Sequence, residues 1–185
     1  MIPYTIERRA DTGLTNPELG IWLFLASEVM LFGALFSAYA LLRTAAISWP
    51  HGHALLSLPI GGTNTVILLA ATAFAWRARA KRDVWLLVPT TSLAIVFLTL
   101  KSVEYHSELS RGLVPATNTF LATYFTLTGL HALHVLAGLV ANLWAVTGLP
   151  RVGAARTIGR VQALALYWAF VDVVWIVIFV LCYLT

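Results

Sequence analysis

Five long apolar runs, separated by short polar breaks, organise this chain. They fall at about 19–42, 58–76, 84–103, 119–147 and 162–184. A bilayer core about 30 Å thick takes roughly 20 apolar residues to cross as a helix. Each run therefore predicts one transmembrane helix. The period-two alternation of a membrane barrel strand is missing. The fold class that follows is all-α, an integral membrane bundle of five transmembrane helices.

The breaks carry loop chemistry. They are Trp49-Pro50-His51-Gly52, the segment from Arg77 to Asp83, Ser110-Arg111-Gly112 with Pro115, and Gly148 to Arg160. Asn16-Pro17-Glu18 predicts the entry to the first helix: a capping residue, a fixed φ, and an acid at the positive end of the helix dipole. Residues 1–18 form an expected short cytoplasmic tail, and 19–185 the transmembrane domain. The first run is too long for the core of a signal peptide, and no small-residue cleavage site follows it. Pro89 is placed to kink the third helix. Small residues four apart, Gly33 with Ser37, Ala34 with Ala38 and Ala137 with Ala141, mark candidate close helix contacts.

Composition agrees with this picture. Of 185 residues, 59% are hydrophobic and 11% charged, whereas soluble domains carry about 25% charged residues. The net charge of +4 does not point to nucleic acid, because the basic residues lie in short blocks between apolar runs, where topology signals belong. With the N-terminus inside, the cytoplasmic side holds Arg8, Arg9, Arg77, Arg79, Lys81, Arg82, Arg151, Arg156 and Arg160. Only Arg43, Lys101 and Arg111 fall on the other side. The positive-inside bias predicts N-in, C-out. Trp76 and Trp85 flank the basic inner loop at the depth of an aromatic belt. Cys182 is the one cysteine, which excludes an internal disulfide and a thiolate metal cluster.

The chemically informative residues are the ionisable ones inside the runs, since a charge at the bilayer centre costs at least about 2.5–3.5 kcal/mol on insertion scales. Glu28 lies about 14 Å into the first helix, and Asp172 at a similar depth in the fifth. Each is either a buried acid that locks packing or part of a proton relay, lipid contact or subunit contact. For Glu28 the expected partner is another helix or a lipid head group, since neighbouring Ser27 points about 100° away around the helix. His131 and His134 lie near one face of the fourth helix. They are candidates for metal ligation, which would need Glu28 and Asp172 to converge on them, or for hydrogen bonds to Glu104, Tyr105 or lipid. Lys101 is spaced i,i+3 to pair with Glu104. His51, His53 and His106 are expected to be solvated. No nucleophile constellation, phosphate loop, dinucleotide fold or haem-attachment motif is present, so no residue of this chain is assigned as catalytic, cofactor-binding or metal-binding.

Five strings, in order, add a resemblance. Trp22 to Phe32 (WLFLASEVMLF), Asn64 to Leu69 (NTVILL), Glu104-Tyr105, Thr128 to Gly138 (TGLHALHVLAG) and Tyr167 to Trp175 (YWAFVDVVW) are similar to signatures of haem–copper oxidase subunit III. The resemblance covers roughly 17–185. It departs at Ala169, where the family commonly has His, and in lacking the two additional N-terminal helices of seven-helix members. Five-helix bacterial forms are familiar, and an extended subunit I can supply the equivalent helices.

The resemblance implies a non-catalytic subunit of a bacterial cytochrome c oxidase-type terminal oxidase in aerobic respiration. Its partners would be subunit I directly, subunit II and other small subunits, and membrane lipids. Haem and copper are expected in the partner subunits and none in this chain. Bound phospholipid and support of proton uptake and turnover stability are implied too. By the same resemblance Glu28 and His134 would lie near lipid, and Glu104 would meet one of the paired histidines. The implied location is the bacterial inner membrane. Competing readings are an accessory protein of a nitric oxide reductase system, subunit III of a quinol oxidase and, from another class, a small proton channel or transporter built on Glu28 and Asp172. The last would be expected to show internal repeats and broken helices, which the sequence lacks.

The charge distribution sets a direct test. A cysteine placed in the Arg77–Asp83 loop should be labelled by impermeant reagents only from the cytoplasmic side of intact cells or sealed vesicles. Labelling from the outer side would reverse the assigned topology.

Overall fold

The structure, a computed structural model, describes residues 9–148 and 154–185, excluding the side chains of His53 and of residues 154–156. Arg8, Arg151 and the Arg156 side chain, used in the topology argument, lie outside the described residues. Among the described residues there are five long helices: α1 (Asn16–Ala45), α3 (Leu58–Lys81), α4 (Leu87–Ser110), α5 (Thr119–Thr147) and α6 (Ala154–Tyr183), with a short α2 (Gly52–Leu55) after α1. All five are long and apolar enough to cross a membrane.

Most of these helices outrun the apolar segments that predicted them. The physical reason is clearest in α4. The third apolar run stops at 103, but the backbone hydrogen bonds continue to Ser110 because Glu104 and Glu108 beyond it are buried in the bundle. At the start of α1 the cap is Thr15 rather than Asn16. Its side chain accepts from the Glu18 N–H, while the Glu18 carboxylate accepts from the Thr15 N–H at 3.0 Å. This reciprocal capping box satisfies two donors that the first turn cannot. Pro89 falls in the first turn of α4, after a 3-10 turn over Val84–Leu86. A missing N–H costs nothing there, so the expected kink has no cause. Arg82 closes α3 in the left-handed conformation (φ 54°), and Asp83 accepts from the Trp85 N–H at 3.0 Å. The turn thereby holds Trp85 exposed beside the basic loop, and Arg79 lies 4.9 Å over the exposed Trp76 ring.

The chain's centre is α6, which packs on α1, α2, α3 and α5, while α3 and α4 form a second close pair. α1 lies outermost. It buries Leu25, Phe32 and Tyr39, three residues seven apart, which is the narrow seam of a helix in two-body packing. Gly33, Ala34, Ser37 and Ala38 are exposed, so these small residues do not make the contacts expected of them. The close approaches occur elsewhere. A Cβ on Gly61 would lie 2.7 Å from the Tyr183 ring, and one on Gly138 would lie 2.9 Å from Tyr167 and 3.0 Å from Trp168. The large rings of α6 occupy the space that these two glycines leave.

At the end of the bundle opposite the basic loop, α2 seals the terminus of α6. The Gly52 N–H donates to the Thr185 carbonyl at 3.0 Å, and the Tyr39 hydroxyl donates to the Leu181 carbonyl at 2.6 Å. These are carbonyls that a helix end leaves without intrahelical donors. A Cβ on Gly52 would sit 1.7 Å from the Cys182 carbonyl oxygen, whereas one on Gly62 would meet nothing within 4 Å. Gly52→Ala should therefore displace α2 and lower the thermal unfolding midpoint of the lipid-reconstituted chain, with a cost of at least about 1–3 kcal/mol typical of overpacking. Gly62→Ala should leave the midpoint near that of the parent, and equal behaviour of the two variants would contradict the assigned contact.

Candidate functional site

Glu28 and His134 meet midway along the bundle. The Glu28 Oε2 lies 2.9 Å from His134 Nε2, and the two side chains are 15% and 14% exposed. His134 Nδ1 lies 2.8 Å from the Leu130 carbonyl, an acceptor for a proton on that nitrogen. The ring is further held by the Phe32 edge at 5.1 Å. The Tyr167 hydroxyl donates to the His134 carbonyl at 2.7 Å. Three helices, α1, α5 and α6, thus converge on one polar pair. The partner of Glu28 is a side chain from another helix, as its depth required.

Next to the pair, towards the basic loop, lies an apolar groove of about 260 Å³. Ile21 and Phe24 of α1, Ala137 and Ala141 of α5, and Ala163 and Tyr167 of α6 line it. Ala137 and Ala141 also floor a shallower hollow of about 630 Å³ that runs along α5 to Trp144. The Ala137/Ala141 spacing therefore marks an open apolar surface and not a tight helix contact.

Asp172 lies at a similar height. Phe24 meets Tyr167, and Tyr39 meets the Leu181 carbonyl, a register that sets Glu28 within about a turn of Asp172. The two acids face different neighbours: Glu28 faces α5, and Asp172, buried, faces Thr72 of α3. They do not converge. Among the described residues no group of three or more His, Cys, Asp or Glu side chains is arranged to hold a metal ion.

His131 departs from expectation. It is fully buried, stands 5.8 Å from the Phe97 ring and 5.2 Å from the Trp175 ring, and neither ring nitrogen has a hydrogen-bond partner. It meets neither Glu104 nor Tyr105. Tyr105 pairs with the Thr128 hydroxyl at 2.5 Å, and Glu104 is taken by Lys101 and Tyr183. The histidine–Glu104 contact implied by the resemblance is absent: His131 packs against the Phe97 and Trp175 rings, and both Glu104 oxygens are occupied by other donors. His51 and His106 are exposed, and the His53 side chain lies outside the described residues.

The strongest polar cluster sits at the C-terminal end of the bundle. Lys101, Glu104 and Glu108 share one face of α4 and are 2%, 1% and 1% exposed. The Lys101 ammonium donates to Glu104 Oε2 at 2.8 Å, to the Tyr124 hydroxyl at 2.9 Å and to the Tyr183 hydroxyl at 2.7 Å. The rings of Tyr105, Tyr124, Trp175 and Tyr183 surround it at 4.8–5.4 Å. The i,i+3 pairing of Lys101 with Glu104 was legible from spacing alone. The apolar pattern does not single out Glu108, because the run ends before it. The available signal was the i, i+3, i+7 spacing of Lys101, Glu104 and Glu108, a charged stripe on one helical face.

Comparison with known proteins places this arrangement. The family described as cytochrome c oxidase subunit III matches residues 9–185. The chain is 36% identical over 184 residues to cytochrome c oxidase subunit 3 of Synechocystis, covering 91% of this chain and 77% of that protein. It is 33% identical over 183 residues to cytochrome bo(3) ubiquinol oxidase subunit 3 of Pseudomonas aeruginosa, covering 91% and 85%. It is also 34% identical over 179 residues to the heme-copper oxidase subunit I+III of Aeropyrum pernix, covering 89% of this chain and 22% of that larger protein.

The Glu28–His134 contact predicts energetic coupling across α1 and α5. In a double-mutant cycle of Glu28→Ala and His134→Ala, measured as unfolding free energy in lipid, the coupling should be about 1 kcal/mol, in the range of interhelical hydrogen bonds in membranes. Strictly additive losses would show that the two side chains act independently.

Proposed function

The chain belongs to the cytochrome c oxidase subunit III family, and on that premise we propose that it docks directly beside subunit I, holds phospholipid along its α1–α5–α6 face and sustains turnover of the assembled oxidase. The chain is a multi-pass membrane protein and a non-catalytic subunit of a haem–copper oxidase, a family without redox centres of its own. Haem and copper belong to partner subunits. The proposed setting is a bacterial inner membrane with the N-terminus cytoplasmic and the C-terminus outside, an orientation supported by the positive-inside distribution. Residues 1–18 are proposed to form the cytoplasmic tail and 19–185 the transmembrane domain.

The observation that supports the lipid reading is the apolar groove beside the Glu28–His134 pair. Its walls carry almost no polar surface, and its floor is made of alanines, which leaves space for an acyl chain. The neighbouring Glu28–His134 pair is hydrogen-bonded internally, with its side chains only 15% and 14% exposed. That arrangement suits a structural and lipid-holding role for Glu28 better than a relay, which needs a continuing chain of partners. Asp172, His131 and Glu104 are proposed as internal polar contacts that fix helix packing. Direct contact with subunit I is supported by the Aeropyrum relative, whose name joins subunits I and III in one chain. Relatives from cytochrome c and ubiquinol oxidases match almost equally, at 36% and 33% identity. That parity supports the reading that another subunit selects the electron donor.

A pulldown of the tagged chain in mild detergent should bring down a large haem-bearing subunit, seen in reduced-minus-oxidised spectra, together with stoichiometric phospholipid. Glu28→Gln should assemble and turn over almost normally, whereas Glu28→Ala should lose lipid and inactivate sooner during turnover. A large pH-dependent loss of activity in fully assembled Glu28→Gln enzyme would replace the structural role of Glu28 with one in proton transfer.

A further inference from the structure

The cluster around Lys101 permits a complete count of donors and charges. The ammonium has three N–H donors, and all three are used, on Glu104 Oε2, Tyr124 and Tyr183. Each tyrosine hydroxyl has one proton. Tyr124 donates to Glu108 Oε1 at 2.9 Å, and Tyr183 donates to Glu104 Oε1 at 2.9 Å. The 3.3 Å contact between the two hydroxyls is then an approach without a proton to share. Both oxygens of Glu104 and one oxygen of Glu108 accept a hydrogen bond. Glu108 Oε2 is buried and has no donor.

The charges tell the same story. One ammonium faces two carboxylates, so the cluster would carry a net negative charge inside a bundle where an uncompensated charge is expensive. The groups that face Glu108 are Lys101, Glu104 and Tyr105 on α4, Arg111 just beyond it, Tyr124 on α5 and Tyr183 on α6, while the Cys182 thiol of α6 faces Lys101 and Tyr105. Arg111 is the other cation near Glu108. It is exposed, and it donates to the Leu55 carbonyl at 3.1 Å. No donor therefore reaches Glu108 Oε2. We propose that Glu108 is a proton-binding site: its Oε2 carries one proton at neutral pH, making the Lys101–Glu104–Glu108 cluster neutral at the C-terminal end of the bundle. Glu104 is excluded as the carrier because both of its oxygens already accept from donors. This site is separate from Glu28, which is paired with His134.

Infrared spectroscopy of the full chain in lipid nanodiscs tests the assignment. At neutral pH the parent chain should show a protonated-carboxyl C=O band that shifts in D2O. Glu108→Gln should lose that band, while Glu28→Gln and Asp172→Asn should keep it. Glutamine copies a protonated acid in shape and charge, so Glu108→Gln should fold with an unchanged neutral-pH melting midpoint. Removing a proton that the fold favours costs stability as pH rises, so the parent's midpoint should fall on alkaline titration more than that of Glu108→Gln. Identical bands in the parent and Glu108→Gln would overturn the proposal. So would identical alkaline slopes, or a Glu108→Gln chain that no longer folds, since the fold would then need the carboxylate charge.

Discussion

Hydrogen bonds from the aromatic and amide side chains around α6 hold the bundle together. Lipid chains are as apolar as leucine, so helix association gains little from hydrophobic burial and relies on packing and interhelical hydrogen bonds. Trp168 Nε1 donates to Asn142 of α5 at 3.1 Å, and Asn142 donates on to Thr91 of α4 at 3.2 Å. Trp175 Nε1 donates to Thr65 of α3 at 3.0 Å. Tyr167 reaches the α5 backbone, and Tyr183 reaches Glu104 on α4. Tyr39 of α1 reaches the α6 backbone. Each ring supplies van der Waals area and one directed N–H or O–H, and Gly61 and Gly138 make room for the bulk. Everything else is positioned relative to this helix.

The Lys101 cluster is the costliest part of the design. Burying an ammonium is tolerable only when it is paired and fully hydrogen-bonded. Here a carboxylate, two phenols and the faces of four rings surround it. Cation–π attraction is stronger where water is excluded. Such a cluster specifies one relative placement of α4, α5 and α6, because a small shift leaves a buried donor unpaired. It also explains why α4 stays helical beyond its apolar run.

α1 contrasts with this. It is the least buried of the five long helices and joins the bundle through a seam of Leu25, Phe32 and Tyr39 with one polar pair, Glu28–His134. Its remaining surface is exposed apolar side chain, including Trp22, Leu23 and Met30. For a subunit of an oxidase, such a helix is suited to face lipid and neighbouring subunits while α6 keeps the chain's own structure intact. The groove beside the pair follows from alanines on α5 facing Phe24 and Tyr167.

Apolar run length and the placement of Lys and Arg were enough to define the five spans, because a bilayer imposes a length and a composition that local sequence must meet. The five family strings, and the pairing of Lys101 with Glu104 one turn apart, were equally local and equally legible. Tertiary structure alone decided which helix faces meet. It brought Glu28 to His134, 106 residues apart. It left His131 between two rings with no hydrogen bond. It sent the small residues of α1 outward while Gly61 and Gly138 took the close contacts. It drew Glu108, beyond the apolar run, into a buried cluster. The difference is physical: crossing a membrane is a property of each segment, whereas a polar partner inside it depends on how neighbouring helices are rotated against one another, and that rotation is set by side chains on several helices at once.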